Sequence, residues 1–494
     1  MTKEPGISVR FSSPVARVAA TLLSTQFVGS AVRFAYLVAI ARMLPPADVG
    51  IYSFGMALYL TMLGAVAFGQ NIVLSTYAGR RGEISDRLLH HSLSVTIAAV
   101  TVAIAFGVAV VFVSEESPRE RVALIFLIAA LGARAFVSWV RNFFIANEDV
   151  RWIPSYEFSF RLGEAVTGCT LIWSGAGLVA VCGLHFGSWV IEAVAAWRLV
   201  YSRAARRLRL GRNWRLLVRL VQVSAVYAVG YWLIQTFPQW GAIALKFVQP
   251  DPVLLAQFAI AMQLLIVLAI FPLALGQAMI PGIGRARRLG SSTDLLAVAT
   301  VMKAAIIMAI AFAICAETVA VAFIPWIFGR EYVLAGETLA TLSWTLGPYS
   351  VALLAVQSLN AFGERASGTL LAALMAVLFF AGVGLFFPLG HLEAVTSALI
   401  LASALSAIAG AVLLAPRLGL SRLWWVPAAM IAAVCAAIFA FFDVGLLIAT
   451  PASTGVLVAS TWALGVFSRE EVAAIAAAFR KRSSTSAQSM AGSQ

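Results

Sequence analysis

The stretch LHHSLSVTIAAVTVAIAFGVAVVFV (89–113), then SEESPRER (114–121), then VALIFLIAALGARAFVSWVRNFFI (122–145) decides the fold class. As a helix, each apolar run is long enough to cross a bilayer core of roughly 30 Å, which takes about 20 residues. The charged turn between them is too short to be a domain, so the pair reads as a transmembrane hairpin. The pattern recurs along all 494 residues, of which 61% are hydrophobic and only 12% charged. Soluble domains carry about 25% charged residues, so this chain lacks the charge to cover a water-exposed surface of its size. Soluble enzymes, DNA-binding domains and disordered chains are excluded together. A net charge of +13 invites a nucleic-acid reading. The bases alternate with apolar runs rather than coating one polar face, however, so no nucleic-acid partner is expected.

Reading outward for runs of this kind gives fourteen spans, near 18–41, 50–73, 89–113, 122–145, 156–174, 177–199, 219–246, 253–280, 295–317, 337–360, 367–388, 393–414, 424–442 and 446–467. The expected fold is an all-α polytopic membrane protein. The polar N-terminus leads into a first transmembrane helix rather than a cleaved signal peptide. With the N-terminus inside, the inner loops hold 23 Lys and Arg against 4 in the outer loops. That asymmetry fixes an even number of spans with both termini cytoplasmic.

A weak internal repeat suggests two six-helix lobes. ARMLPPADVGIYSFGMAL (41–58) matches LKFVQPDPVLLAQFAIAM (245–262), with Arg42 on Lys246, Pro46 on Pro250 and Phe54 on Phe258. Both following helices reach Gly-Gln, at 69–70 and 276–277. An offset of about six spans implies parallel repeats. The expected organisation is an N-lobe at 1–200, a basic inter-lobe loop at 201–218, a C-lobe at 219–415, two added spans at 416–467 and a cytoplasmic tail at 468–494. The loop sequence YSRAARRLRLGRNWRLLVR (201–219) reads equally as a positive-inside connection and as an interfacial segment on anionic lipid.

Catalytic chemistry finds no support. His90, His91, His185 and His391 lack partners at motif spacing, and no Walker A sequence is present. The four cysteines lie in apolar stretches without paired spacing, so they read as small buried helix residues. No catalytic residue, metal or cofactor is expected.

Eight bases lie within or at the ends of spans (Arg33, Arg134, Arg141, Arg161, Arg198, Arg219, Lys246 and Lys303), against three acids (Glu164, Glu192 and Glu317). Ionisable groups in a bilayer are costly and generally face an interior cavity or each other. Arg198 and Arg219 can snorkel to an interface. Arg33 and Arg134 have no acid within a helical turn, which points them at a cavity. Helical spacing puts Gln26, Ser30, Arg33 and Tyr36 on one face, Arg134, Ser138 and Arg141 on another, and Tyr231, Gln235, Gln239 and Lys246 on a third. Glu157, Arg161 and Glu164 are spaced as local ion pairs. Guanidinium forks suit phosphate, while amides and aromatic rings suit sugars. Arg33, Arg134, Arg141 and Lys246 are therefore candidates for a phosphate-bearing anion, and Gln26, Tyr36, Tyr231, Gln235 and Gln239 for sugars. Glu164, Glu192, Glu317 and His185 are candidates for coupling to an ion; the plainer roles are a local ion pair for Glu164, helix packing for His185 and helix-end solvation for Glu317. Trp152, Trp240, Trp326, Trp424, Trp425 and Trp462 read as interfacial belts, and Pro238, Pro272 and Pro348 as places where helices bend.

AIARMLPPADVGIYSFGMALY (39–59) resembles the segment after the first helix of Wzx-type polysaccharide flippases, where A-R-x-L-x-P/G-x-x-x-G-x-Y-x-F is usual. The stretch FGREYVLAGETLATLSWTLGPYSVALLAVQSLNAFGERASGTLL (328–371) and the tail SREEVAAIAAAFRKR (468–482) are also similar to that family. These flippases belong to the multidrug, oligosaccharidyl-lipid and polysaccharide exporter superfamily. The resemblance implies V-shaped paired lobes around a basic cavity that opens alternately to either side. It implies transfer of an undecaprenyl-diphosphate-linked oligosaccharide across the bacterial inner membrane, with Arg33 as the best match to a diphosphate-holding arginine. Membrane lipids, a polysaccharide polymerase and glycosyltransferases are the partners it implies. Many relatives carry an Asp in span seven where this chain has Trp240, Gly241 and Lys246, which leaves that coupling role without a residue. A lipid II flippase and an ion-coupled drug exporter are the alternatives, the latter needing luminal carboxylates.

Overall fold

A computed structural model describes residues 14–67, 85–115, 117–147, 149, 152–204, 208–270 and 292–421, with isolated positions elsewhere. Among these residues there is no strand, and the regular structure is helical. The α-helices are α1 Pro14–Met43, α2 Pro46–Ala67, α3 Asp86–Ser114, α4 Pro118–Ala146, α5 Ile153–Trp173, α6 Leu178–Ala204, α7 Trp214–Val248, α8 Pro252–Leu268, α9 Ser292–Phe328, α10 Val333–Ser343, α11 Leu346–Phe362, α12 Arg365–Phe386 and α13 His391–Leu418. Among the described residues seven helices are long and apolar enough to cross a membrane, or nine if two bent pairs each make one span. The expected spans at 424–442 and 446–467, the Gly-Gln pairs, Pro272, the tail segment and Trp424, Trp425 and Trp462 lie outside the described residues, apart from isolated positions such as Ile431 and Cys435.

The helix starts follow from local chemistry. Proline opens α1, α2, α4 and α8, where its missing N–H costs nothing. Ser85 accepts from Leu88 N at 3.4 Å at the start of α3, and Asn213 Oδ1 accepts from Leu216 N at 3.2 Å at the start of α7. The run read as one span at 337–360 is broken instead: Arg330–Ser343 and Leu346–Phe362 are bent by 52°. Pro348 explains the position, because its ring excludes the carbonyl four residues back, at Trp344.

The chain forms two compact units. The first comprises Met1–Val267, Ile324–Ala335 and Phe386–Val395. In it α4 packs on α6, α1 on α5, α2 on α7 and α4, and α3 on α4. The segment resembling the flippase signature holds this unit together. Arg42 donates to the carbonyl of Ile327 at 2.5 Å and to that of Trp326, supplying donors to the open C-terminal end of α9. Tyr332 OH donates to the Ala41 carbonyl at 3.3 Å, so the runs at 39–59 and 328–371 meet through main-chain acceptors. Asp48 pairs with Arg119 at 2.7 Å. At Gly50 the chains touch directly: a Cβ there would lie 1.8 Å from the Pro252 carbonyl oxygen. The second unit comprises Leu268–Phe323, Gly336–Leu385 and Thr396–Gln494. Its core includes Ile306, Ile310 and Ile314, one face of α9, against Val351, Ala407 and Ala411.

Two expectations change. Only Cys182 and Cys435 are buried; Cys169 is half-buried and Cys315 is exposed, because an apolar helix in lipid turns small residues outward as readily as inward. Trp240 is not interfacial either: it is buried and donates to Thr236 Oγ1 at 3.2 Å.

Candidate functional site

Arg161 and Glu164 share a face of α5, and His185, Ser188, Trp189 and Glu192 share a face of α6, at i, i+3, i+4 and i+7. These faces meet in the first unit. Arg161 donates through Nη1 to Glu164 and through Nη2 to Glu192, and all three residues are buried. His185 Nδ1 lies 2.6 Å from Glu164 Oε1, and Trp189 Nε1 lies 3.1 Å from His185 Nε2. An indole N–H can only donate. His185 Nε2 is therefore the acceptor, and the ring proton sits on Nδ1, facing Glu164. Ser188 Oγ donates to Glu164 at 3.4 Å, and Tyr156 OH donates to the Glu192 carbonyl at 2.8 Å. One guanidinium thus lies between two carboxylates, with a neutral histidine holding the first.

Trp189 extends this cluster toward α4. The Arg161 guanidinium carbon lies 3.9 Å from its ring centroid and that of Arg134 lies 4.3 Å away, both within cation–π range. Arg134 also faces the Tyr59 ring at 6.0 Å. One turn pair further along α4, Arg141 Nη1 pairs with Glu157 at 2.6 Å. Glu157 therefore turns across to α4 rather than to Arg161 on its own helix, since Arg161 already has two carboxylates. Arg33 is exposed, and its hydrogen bonds go to its own helix, to the Gly29 carbonyl at 3.2 Å and Ser30 Oγ at 3.4 Å. α1 packs against α5, the helix that carries Glu157, Arg161 and Glu164. Among the described residues no carboxylate lies within ion-pair distance of Arg33 or Arg134.

The structure thus brings Arg33, Arg134 and Arg141 together with Glu164, Glu192 and His185. The polar stripe of α7 lies in the same unit, where α7 packs on α2 and α3, and Tyr231 on it is half-buried. Gln235 Nε2 is buried without a partner among the described residues, and Gln239 is half-buried. Tyr36 packs between α1 and α5, its hydroxyl so close to Gly168 that a Cβ there would lie 2.1 Å from it. Gln26 lies on α1, with its side chain outside the described residues. Lys246 does not join the group: its Nζ pairs with buried Glu115 at 2.7 Å. Glu317 belongs to the second unit, where it accepts from Trp344 Nε1 at 2.9 Å. Sequence reasoning missed Trp189 and Glu115. The i, i+4, i+7 spacing of His185, Trp189 and Glu192 was a usable signal for the first, whereas nothing local marks Glu115 as the partner of a lysine 131 positions away.

The model of a family described as polysaccharide biosynthesis protein matches residues 15–287, more than half of the chain. The chain belongs to that family. No curated protein sequence matches it. Among solved structures, that of the lipid II flippase MurJ in an inward closed conformation is similar over 90% of this chain and 98% of that one, with a TM-score of 0.68 at 10% identity. The eukaryotic MATE transporter AtDTX14 is similar over 81% of this chain and 94% of its own, with a TM-score of 0.63 at 12% identity. The MATE multidrug transporter DinF-BH, in complex with R6G, gives 0.61 at 16% identity over 83% and 98%. The fold is that of the MATE and MurJ members of the exporter superfamily. This member of the polysaccharide biosynthesis family is a multi-pass membrane protein.

Proposed function

We propose that this family member is a flippase for an undecaprenyl-diphosphate-linked oligosaccharide, carrying the head group from the cytoplasmic to the periplasmic leaflet of a bacterial inner membrane during surface polysaccharide assembly. The observation that carries this reading is that Arg33 and Arg134 have no carboxylate within ion-pair distance among the described residues. Arg141 and Arg161 are paired to acids, whereas Arg33 and Arg134 are left for a ligand that brings its own negative charge. Two guanidinium forks suit the adjacent phosphates of a diphosphate. Arg141 lies at the edge of that site, and Tyr231, Gln235 and Gln239 supply hydrogen bonds to sugars. Gln235 has the buried, unpartnered donor that such a contact satisfies. Lys246, held by Glu115, has a structural role in this reading.

The test is export by Arg33→Ala and Arg134→Ala variants at normal membrane abundance, together with transfer of a diphosphate-linked oligosaccharide by the purified protein in vesicles. Both activities should fall sharply. Wild-type export by both variants would refute the assignment. A lipid II substrate is the second reading, favoured by the likeness to the lipid II flippase over nearly the whole of both chains. Gene deletion separates the two: loss of surface polysaccharide with survival supports the first, and death with accumulated peptidoglycan precursor the second.

A further inference from the structure

The loop at 208–213, between α6 and α7, is fastened to the start of α3. Gly211 N–H lies 2.9 Å from Ser94 Oγ and 3.2 Å from the His90 carbonyl. Ser94 Oγ lies 3.3 Å from the Gly211 carbonyl in return. Asn213 N–H donates to His91 Nε2 at 3.3 Å, and the opposite ring nitrogen of His91 lies 2.6 Å from the Arg87 carbonyl. Because Nε2 must accept, His91 carries its proton on Nδ1 and donates it to Arg87 O. Position 211 has no room for a side chain: a Cβ there would lie 2.5 Å from His91 Cγ. The loop is therefore tied to α3 by buried His91 and half-buried His90 and Ser94.

Its other side is turned outward. Arg209, Arg212 and Arg215 are exposed, as are Leu210 at 58% and Trp214 at 74%. Residues 201–219 contain seven arginines and no acid, and among the described residues no carboxylate lies within ion-pair distance of Arg209, Arg212 or Arg215. A fixed loop at the joined ends of two apolar helices, carrying three open guanidiniums beside an outward leucine and an indole, matches one surface in particular. Headgroup phosphates satisfy the guanidiniums, and indole rings settle at headgroup depth.

We propose that residues 208–215 form a built seat for anionic phospholipid, with Arg209, Arg212 and Arg215 on headgroup phosphates and Leu210 and Trp214 at the acyl boundary. The seat is independent of the transported substrate. A diffuse positive loop would attract the same lipids by charge count alone, whereas a built seat also needs Gly211 and His91 to hold its shape.

The experiment places the full chain in phosphatidylcholine nanodiscs containing increasing brominated phosphatidylglycerol, with brominated phosphatidylcholine as the reference lipid. The signal is the difference in tryptophan quenching between the wild type and Trp214→Phe. Half-quenching should occur at a much lower fraction of phosphatidylglycerol than of phosphatidylcholine. Each of Arg209→Ala, Arg212→Ala and Arg215→Ala should raise that fraction roughly five-fold. Gly211→Ala, which keeps every charge, should weaken the preference by a similar factor. A triple Arg→Lys variant controls for misfolding: it should keep much of the attraction and lose the fork contacts. Equal quenching by both lipids would overturn the proposal, as would a folded Gly211→Ala protein with unchanged preference, which leaves charge alone as the cause.

Discussion

Arg134 and Arg161 flank the same indole, yet removing them should have opposite consequences. Arg161 has two carboxylate partners, and the side chains of Arg161, Glu164 and Glu192 are 8%, 6% and 1% exposed. Arg161→Ala leaves two buried acids without their ion-pair partner, with His185 and Ser188 hydrogen-bonded to Glu164 and Arg134 beyond ion-pair distance of both. Breaking a buried pair in this way costs about 3–5 kcal/mol, so the variant should unfold at clearly lower temperature in detergent. Arg134 has no carboxylate to abandon. Its removal forfeits cation–π contacts at 4.3 Å and 6.0 Å, about 0.5–1 kcal/mol each, and its longer-range attraction to Glu164 and Glu192 is offset by relieved repulsion from Arg33 and Arg161. Arg134→Ala should therefore unfold close to the wild type. Its loss should appear in transport: a charge-assisted contact to phosphate is worth about 1.5–3 kcal/mol, or roughly 10- to 100-fold in transfer at low substrate. The assay pairs thermal unfolding with head-group transfer in vesicles, and Arg134→Lys should recover part of the rate. A stable Arg134→Ala protein that transfers at the wild-type rate would refute the division between compensated and uncompensated arginines.

Three further outcomes follow from particular contacts. Gly50→Ala must part α2 from the Pro252 carbonyl, now 1.8 Å from where the new Cβ would lie; an overpacking cost of about 3 kcal/mol should appear as reduced folded yield and a lower melting temperature. Lys246→Met strands buried Glu115 and should cost about 3–5 kcal/mol, most of it recovered in Lys246→Met/Glu115→Leu; a double variant no more stable than the single one would contradict the pairing. At the start of α12, Arg417 lies beside Glu364 and holds its carboxyl below the ordinary carboxylate range. A depressed acid contributes its stability above its unfolded pKa and loses it as pH falls through the folded value. The deficit of Glu364→Gln, under about 1 kcal/mol for so open a pair, should thus be full at neutral pH and vanish below that range in a pH-dependent unfolding series.

How much of this was legible in the sequence depended on whether the deciding partner lay on the same helix. The uncompensated state of Arg33 and Arg134 could be read because the nearest acids were absent from their own turns, and the folded neighbours add none within ion-pair distance. The pairing of Glu157 could not: four residues separate it from Arg161, but packing brings Arg141, sixteen residues back, to 2.6 Å. Lys246 looked like a cavity cation for the same reason, since its acid comes from the end of α3. The break before Leu346 was visible only as Pro348 in an otherwise apolar run, and hydropathy is blind to a missing backbone donor. Hydrophobic length identifies helices because burial and lipid exposure both demand it; it carries no record of which helix faces which.

The compensation pattern has a consequence that separates a binding site from an accident of packing. In the first unit Asp48, Glu115, Glu157, Glu164 and Glu192 each lie against a base, and the buried cations Arg161 and Lys246 are both among those paired. Half-buried Arg134 has no such partner, a standing cost in a low-dielectric interior, and stability alone favours supplying an acid. Ser138 lies four residues after Arg134 and three before Arg141 on α4, the spacing at which an acid reaches both. Ser138→Glu should therefore raise the melting temperature while abolishing transfer of a diphosphate-linked substrate, because the new carboxylate occupies the place of the phosphate. Trading function for stability in this way is the general behaviour of sites held in an unfavourable state for a ligand. Ser138→Gln, similar in size and uncharged, should leave transfer largely intact. Were Ser138→Glu to transport normally, the positive charge at Arg134 would have no part in substrate binding, and the reading of this interior as a diphosphate site would fail with it.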